Sequence, residues 1–287
     1  MTRDRDAVAG ISPRPTSASA AAPHGGVRSA KPGLWSRAMG AALVAACMFA
    51  IPAVPRAQDG VDADARGVLA AMSAYLGGLR SFSVDYAAAD EVVTTDGQRL
   101  QFLHSGALLV QRPDRLHALR RGAAGTAEMI LDGQHLILFG RDANAYVRLP
   151  ATTIAAAVDA VQRLGFDAPG ADLLADRPLD SATTDIATGV HVGMTFIDGV
   201  EVHQLAFRGV EVDWQLWVTA GDQSLPLRYV ITSKTVAGSP QYTLQLRNWN
   251  VGPAADPARF VFAPPAGARQ LDPSSVTVNA IGDMVIR

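Results

Sequence analysis

Cysteine is nearly absent from this chain, and its one copy, Cys47, lies in an N-terminal segment with the features of a leader. If that segment is removed, the remaining chain has no disulfide, no catalytic thiol and no cysteine-based metal site. The sequence also lacks the G-x-S-x-G, H-E-x-x-H, Walker A and strand-linked G-x-G-x-x-G motifs. These absences predict a protein without a cofactor and without catalytic residues.

Long apolar runs are missing as well. The longest, residues 38–51, is shorter than the roughly 20 residues that a membrane-spanning helix needs. It follows the basic residue Arg37 and is broken by Pro52, and small residues around Ala57 offer a cleavage point. This pattern predicts a disordered leader and signal peptide over residues 1–57, with export to the periplasm.

A second exported form is compatible with the same segment. The run Val44-Ala45-Ala46-Cys47 resembles the lipobox of bacterial lipoproteins, in which the cysteine is lipidated and becomes the new N-terminus. In that form the protein is anchored to a membrane through Cys47.

Basic residues are scarce in what remains after export. The whole chain has 25 Lys and Arg against 27 Asp and Glu, and residues 1–57 hold seven of the basic and two of the acidic ones. The remainder therefore has 18 basic and 25 acidic residues, a net charge of −7. Nucleic-acid-binding proteins need a basic surface, so no nucleic-acid partner is expected.

The apolar periodicity predicts a mainly β chain. A helical stripe over residues 65–79 is followed by strands with Asp-Gly turns, a second helix over 154–164, and further strands ending with "ARFVF" at 258–262. The whole pattern gives about eleven strands in meander order. We expect one domain over residues 58–272 and a C-terminal tail over 273–287 with room for a short strand.

The strand that begins at Val212 carries one tryptophan on each of its faces. Val212, Trp214 and Leu216 share one face of their strand, whereas Trp217 shares the other face with polar residues. We predict that Trp214 and its neighbours face the interior and that Trp217 lies beneath the helix at 154–164.

The first hairpin predicts the other half of the interior surface. Phe82, Val84 and Tyr86 share a face, and a two-residue turn at Asp96-Gly97 places Leu109 opposite Val84. The predicted cavity residues are therefore Phe82, Val84, Tyr86, Leu109, Val212, Trp214 and Leu216.

His191 and His203 flank another Asp-Gly turn and are the best candidates for metal ligands. A two-residue turn at Asp198-Gly199 places Met194 opposite His203 and Ala206 opposite His191, so that the two histidines occupy opposite faces. We therefore predict no metal site, because a shared ion would require a bulge.

Several strand-and-turn motifs resemble a family of predicted periplasmic proteins that is classed as a domain of unknown function. They are "QRPDRL" (111–116), "LDGQHL" (131–136), "DWQLW" (213–217), "LPLRYVIT" (225–232), "PQY" (240–242) and "FVFAPPAGA" (260–268). The order of the elements also resembles the fold of the LolA and LolB lipoprotein carriers. That resemblance implies an incomplete antiparallel β-barrel with an N-terminal helix and inserted helices as its cover.

The resemblance further implies a non-catalytic envelope protein that binds or carries a lipid, an acylated protein or another apolar ligand. Two alternatives stay open. One is a structural or sensing module with a self-filled core that binds a protein partner, and the other is an envelope hydrolase.

Overall fold

The computed structural model describes residues 60–166, 169–179, 186–253, 255–278 and 284–286. The predictions for the leader (residues 1–57), for cleavage near Ala57 and for lipidation of Cys47 lie outside these residues.

Strands make up most of the described chain, and two α-helices accompany them. The strands are β1 (Gly60–Val61), β2 (Ser81–Val93), β3 (Arg99–Gln111), β4 (Arg115–Gly122), β5 (Gly125–Leu131), β6 (His135–Gly140), β7 (Ala145–Pro150), β8 (Ile186–Ile197), β9 (Val200–Gly209), β10 (Val212–Thr219), β11 (Pro226–Ser233), β12 (Gln241–Val251), β13 (Arg269–Gln270), β14 (Val276–Val278) and β15 (Met284–Ile286). The helices are α1 (Ala63–Gly78) and α2 (Ile154–Arg163), and short 3₁₀ helices cover Ala171–Leu174, Pro257–Phe260 and Pro273–Ser275. The stretch 258–262 was predicted as a strand, but a 3₁₀ helix occupies its first part.

Thirteen of these strands form one sheet in the order β1-β8-β9-β10-β11-β12-β2-β3-β4-β5-β6-β7-β13. All neighbours are antiparallel except the two-residue strands β1 and β13, which pair in parallel at the two ends. Because β1 and β13 are edges, the sheet does not close. The predicted class, an incomplete antiparallel barrel with helical cover, is confirmed.

Both helices begin at a side-chain cap and bury one apolar stripe. Asp62 accepts a hydrogen bond from the N–H of Ala65 at 2.6 Å, and Thr153 accepts one from the N–H of Ala156 at 3.1 Å. The stripes of α1 and α2 belong to one core cluster together with Trp214. We call the sheet face that carries both helices the inner face and the opposite one the outer face.

The two tryptophans of β10 lie on opposite faces, as predicted, but the outer one is not covered by a helix. Trp214 is 2% exposed on the inner face, stacks on Phe207 at 4.0 Å between ring centroids and meets Tyr229 edge-on at 5.9 Å. Trp217 lies half-buried on the outer face, where the Arg228 guanidinium covers its ring at 5.6 Å. The prediction that Trp217 lies beneath a helix is wrong, because both helices pack on the inner face.

The register of the first hairpin also differs from the prediction. Val84 pairs with Leu108 and not with Leu109. Five residues (94–98) connect the paired strands, whereas the sequence argument assumed a two-residue turn at Asp96-Gly97. A shift of one residue moves every side chain of a strand to the other face. Leu109 therefore lies on the outer face, and its assignment to the cavity is wrong.

A β-bulge brings together the two histidines that were predicted to lie on opposite faces. His191 pairs with Leu205 and not with Ala206, because the register shifts between His191 and Gly193. Gly193 has φ +143°, a backbone conformation that other residues rarely adopt. As a result His191 and His203 share a face, and their rings approach within hydrogen-bonding distance.

Candidate functional site

Two adjoining cavities lie between the inner face of the sheet and its helical cover. Their volumes are about 290 and about 460 Å³. The first is bounded by α2, the 3₁₀ helix Ala171–Leu174 and strands β2, β3, β4 and β12. The two cavities share six lining residues: Tyr86, Ala118, Arg120, Met129, Val161 and Phe166. The shared wall makes them neighbouring compartments of one apolar region.

Three of the predicted cavity residues line the first compartment. Phe82, Val84 and Tyr86 project from β2 into it, and Phe82 and Val84 are 1% and 3% exposed to solvent. Leu108 takes the place that the sequence argument gave to Leu109, which lines a separate outer-face pocket instead.

The other predicted residues lie on the inner face away from the cavities. Trp214 and Leu216 are buried and Val212 packs against the same core, but none of them lines either compartment. The aromatic contacts of Trp214 with Phe207 and Tyr229 fill this part of the interior with side chains. The inner face is therefore solid near β10 and hollow near β2 to β5.

Sequence reasoning missed Trp249, which forms part of the cavity wall. Its ring packs against Phe82 at 5.4 Å between centroids, and its Nε1–H donates to the carbonyl of Pro226 at 3.0 Å. The register between β12 and β2 shifts near Arg247, where Asn248 has φ +54°. This irregularity obscures the period-two pattern that would otherwise have identified the tryptophan.

Gly106 shapes the floor of the cavity. A Cβ atom at this position would lie 1.7 Å from the carbonyl oxygen of Leu119 and 2.9 Å from the Tyr86 ring. The missing side chain lets Tyr86 cross the neighbouring strand and donate a hydrogen bond to the Leu119 carbonyl at 3.2 Å. Burial raises the pKa of Tyr86 to about 12, so its hydroxyl stays neutral.

One end of the first compartment is polar. His104 Nε2 lies 3.1 Å from Asp90 Oδ2, and the His104 ring is 5.9 Å from that of Tyr86 and 6.4 Å from that of Tyr242. Burial, reinforced by the negative charge of Asp90, raises the pKa of Tyr242. The opposite end is formed by Phe82, so the compartment is polar at one end and apolar at the other.

Polar contacts tie the 3₁₀ part of the cover to the sheet. The Tyr229 hydroxyl donates to Asp172 Oδ2 at 3.4 Å, and the Arg112 guanidinium donates to the carbonyl of Leu174. Burial raises the pKa of Asp172, and its Oδ1 has no hydrogen-bond partner within the described structure. The cover is thus attached partly through a carboxyl group that is costly to ionise.

The histidine pair lies outside the cavities. His191 Nε2 and His203 Nδ1 are 3.1 Å apart. Burial and the neighbouring His191 lower the pKa of His203. Within the described ranges, no group of three or more His, Cys, Asp or Glu residues is placed to hold a metal ion.

Neither helix of the described part of the chain has the length and hydropathy needed to cross a membrane.

Comparison with known families identifies the chain. The family described as "Predicted periplasmic protein (DUF2092)" matches residues 65–272, and the chain belongs to this family. The resemblance inferred from the strand-and-turn motifs is thereby confirmed. None of the curated proteins compared matches the sequence.

Several solved structures are similar in fold. LprF from Mycobacterium bovis is 16% identical, with 69% of this chain and 97% of that chain covered and a TM-score of 0.45. The LolA superfamily protein NE2245 from Nitrosomonas europaea is 14% identical, with coverages of 69% and 97% and a TM-score of 0.37. Lipoprotein LppX from Mycobacterium tuberculosis is 13% identical, with coverages of 66% and 98% and a TM-score of 0.44.

Proposed function

We propose that this member of a periplasmic family binds a lipid, an acyl chain or another apolar ligand, without catalysis, in the two compartments beneath α2. The observation that carries the proposal is the apolar space of about 290 and 460 Å³ on the inner face. Ligand pockets typically have volumes of about 300–1,000 Å³ and apolar walls with a few polar groups. The polar end at His104 and Asp90 supplies such groups.

The energetic argument favours an occupant. Protein interiors are normally close-packed, whereas this space leaves apolar wall atoms without protein partners. A ligand that covers those walls removes apolar surface from water, and each Å² so removed contributes about 25 cal/mol.

The proposal is tested by filling the cavity without disturbing its walls. Ala118 faces both compartments, so Ala118→Leu would occupy ligand space. Displacing about two buried methylenes of a ligand, at about 0.8 kcal/mol each, corresponds to a roughly tenfold rise in Kd. We expect this rise for cis-parinaric acid measured by fluorescence titration of the purified protein.

Ala107→Leu is the matched control for that test. Ala107 lies on the adjacent strand β3 but faces the outer side, where it pairs with Leu119. The control should leave the Kd unchanged. Equal Kd values for the two variants, or no probe binding by the unmodified protein, would contradict the proposal.

We also propose that the chain reaches the periplasm by removal of residues 1–57, with an anchored lipoprotein beginning at Cys47 as the alternative. The family description and the pattern of the leader support export. Intact-mass measurement on protein from an envelope fraction should give a chain beginning near Gln58. A diacylated species beginning at Cys47 would support the alternative, and a full-length cytoplasmic species would contradict both.

Binding of a protein partner is a second candidate function. The tip of the β8–β9 hairpin exposes Phe196 at 67% and Val200 at 44%, and such exposed apolar groups favour contact with a partner. A Phe196→Ser variant that loses a partner in a pull-down from the envelope, while it keeps probe binding, would separate this function from ligand binding.

A further inference from the structure

The face of the β8–β9 hairpin that carries His191 and His203 collects three side chains with metal-binding atoms. Met194 pairs directly with His203, so the two side chains share a face. Directly opposite residues of a ladder have Cβ atoms about 4.5–5.5 Å apart, which lets the long methionine side chain reach the imidazole. Met194 is 46% exposed, so the group is open to ions in solution.

The separation of the two imidazole nitrogens fits a shared ion. His191 Nε2 and His203 Nδ1 are 3.1 Å apart. Metal–nitrogen bonds of about 2.0–2.1 Å that meet at angles of about 90–110° place two ligand nitrogens about 2.9–3.4 Å apart. The ring planes are inclined by 55°, so the rings meet at an angle and are not stacked face to face. The structure therefore holds two imidazole nitrogens at the spacing of a pair of metal ligands.

Backbone features hold this arrangement in place. The bulge at Gly193 places His191 on the same face as His203, and the backbone N–H of His191 donates to Asp62 Oδ2 at 2.9 Å. The other carboxylate oxygen of Asp62 caps α1 through Ala65. The strand that carries His191 is thus fixed to the start of α1. This attachment reduces the conformational entropy that is lost when an ion binds.

We propose that His191, His203 and Met194 form a copper-binding site, with Cu(I) as its preferred ion. Imidazole nitrogen suits zinc, copper, iron and nickel, whereas a soft thioether suits Cu(I) and is not among the usual ligands of protein zinc sites. The methionine thus determines the choice of metal. The site lies outside the apolar cavities and does not depend on the function proposed for them.

Cu(I) binding is measured by anaerobic competition with bicinchoninate, using the purified exported protein. We expect one Cu(I) per chain. The loss of an outer-shell partner of a metal ligand costs about 10–100-fold in affinity, and the loss of a ligand itself costs at least as much. His203→Gln and His191→Gln should therefore each weaken Cu(I) binding by about 10-fold or more, whereas His135→Gln on β6 is the control histidine and should have no effect.

Met194→Leu tests the identity of the metal. This variant should weaken Cu(I) binding by about tenfold and leave Zn(II) binding unchanged, because protein zinc sites use thiolate, imidazole and carboxylate ligands and not a thioether. Since Met194 is only about half buried, this variant keeps the proposal testable even if a histidine variant fails to fold. The proposal would be overturned if the protein bound no Cu(I), if binding survived each histidine substitution, or if the site preferred Zn(II). The histidine pair would then be a structural hydrogen bond.

Discussion

Replacing Trp214 by alanine tests whether the interior near β10 is solid. The indole is 2% exposed and packs between Phe207, at 4.0 Å, and Tyr229, at 5.9 Å, without touching either cavity. Truncation of a buried aromatic residue costs about 3–5 kcal/mol, and each aromatic pair adds about 0.5–1.5 kcal/mol beyond its buried area. We expect Trp214→Ala to lower the free energy of unfolding by about 4 kcal/mol.

Trp217 on the same strand is the matched control. It is half-buried on the outer face and contacts Arg228 through a cation–π interaction, which is worth about 0.5–1 kcal/mol at an exposed site. With its partial burial included, Trp217→Ala should cost about 1–2 kcal/mol. Urea unfolding followed by far-UV circular dichroism measures both values, because each substitution removes a fluorophore.

The binding assay adds an independent check. Because Trp214 does not line the cavities, Trp214→Ala should leave the Kd for cis-parinaric acid unchanged in conditions where the variant is folded. If Trp214→Ala proves too unstable, Trp214→Phe serves in its place with a smaller stability loss. Equal stability losses at positions 214 and 217 would refute the assignment of the two faces, and a large loss of probe binding would refute the separation of solid and hollow regions.

Two further predictions concern the cavity floor and the cover. Gly106→Ala should destabilise the protein strongly, because the new Cβ would lie 1.7 Å from the Leu119 carbonyl oxygen; thermal unfolding measures the effect, and a change in melting temperature below about 2 °C would contradict the geometry. Asp172 has a folded-state pKa above its unfolded value, so its contribution to stability falls as pH rises from about 4 through the raised value. Asp172→Asn should remove this fall and make the protein more stable at neutral pH. Urea titrations at several pH values measure the free energy of unfolding of both proteins. The same dependence of that free energy on pH in both proteins would contradict the assignment.

The sequence by itself determined the two α-helices and the order of the long strands. Residues that share a helical stripe, such as Leu69, Met72 and Leu76, are close in the chain, so their periodicity predicts α1 without knowledge of the fold. The two-residue turn at Asp198-Gly199 was also predictable, because φ values of +51° and +82° suit this pair of residues. Such features depend on local backbone conformation.

The candidate site was only partly predictable. Phe82, Val84 and Tyr86 were correctly placed on one face because a strand alternates with a period of two. Leu109 was misplaced because the length of the connection between β2 and β3, and not the presence of Asp and Gly in it, sets the register. His191 was misplaced because of the bulge beside it. Gly193 permits this bulge, but a single glycine in a strand is not enough to predict one.

Only the tertiary structure decided which part of the inner face is filled. Val212, Trp214 and Leu216 have the same alternating pattern as the residues of β2, yet they are packed by Phe207 and Tyr229, which come from other strands. The hollow region exists because α2 and the 3₁₀ helix Ala171–Leu174 cover β2 to β5 without filling the space below. Whether an apolar face is covered by side chains or by a cavity depends on contacts between residues far apart in the chain, and local periodicity contains no information about those contacts.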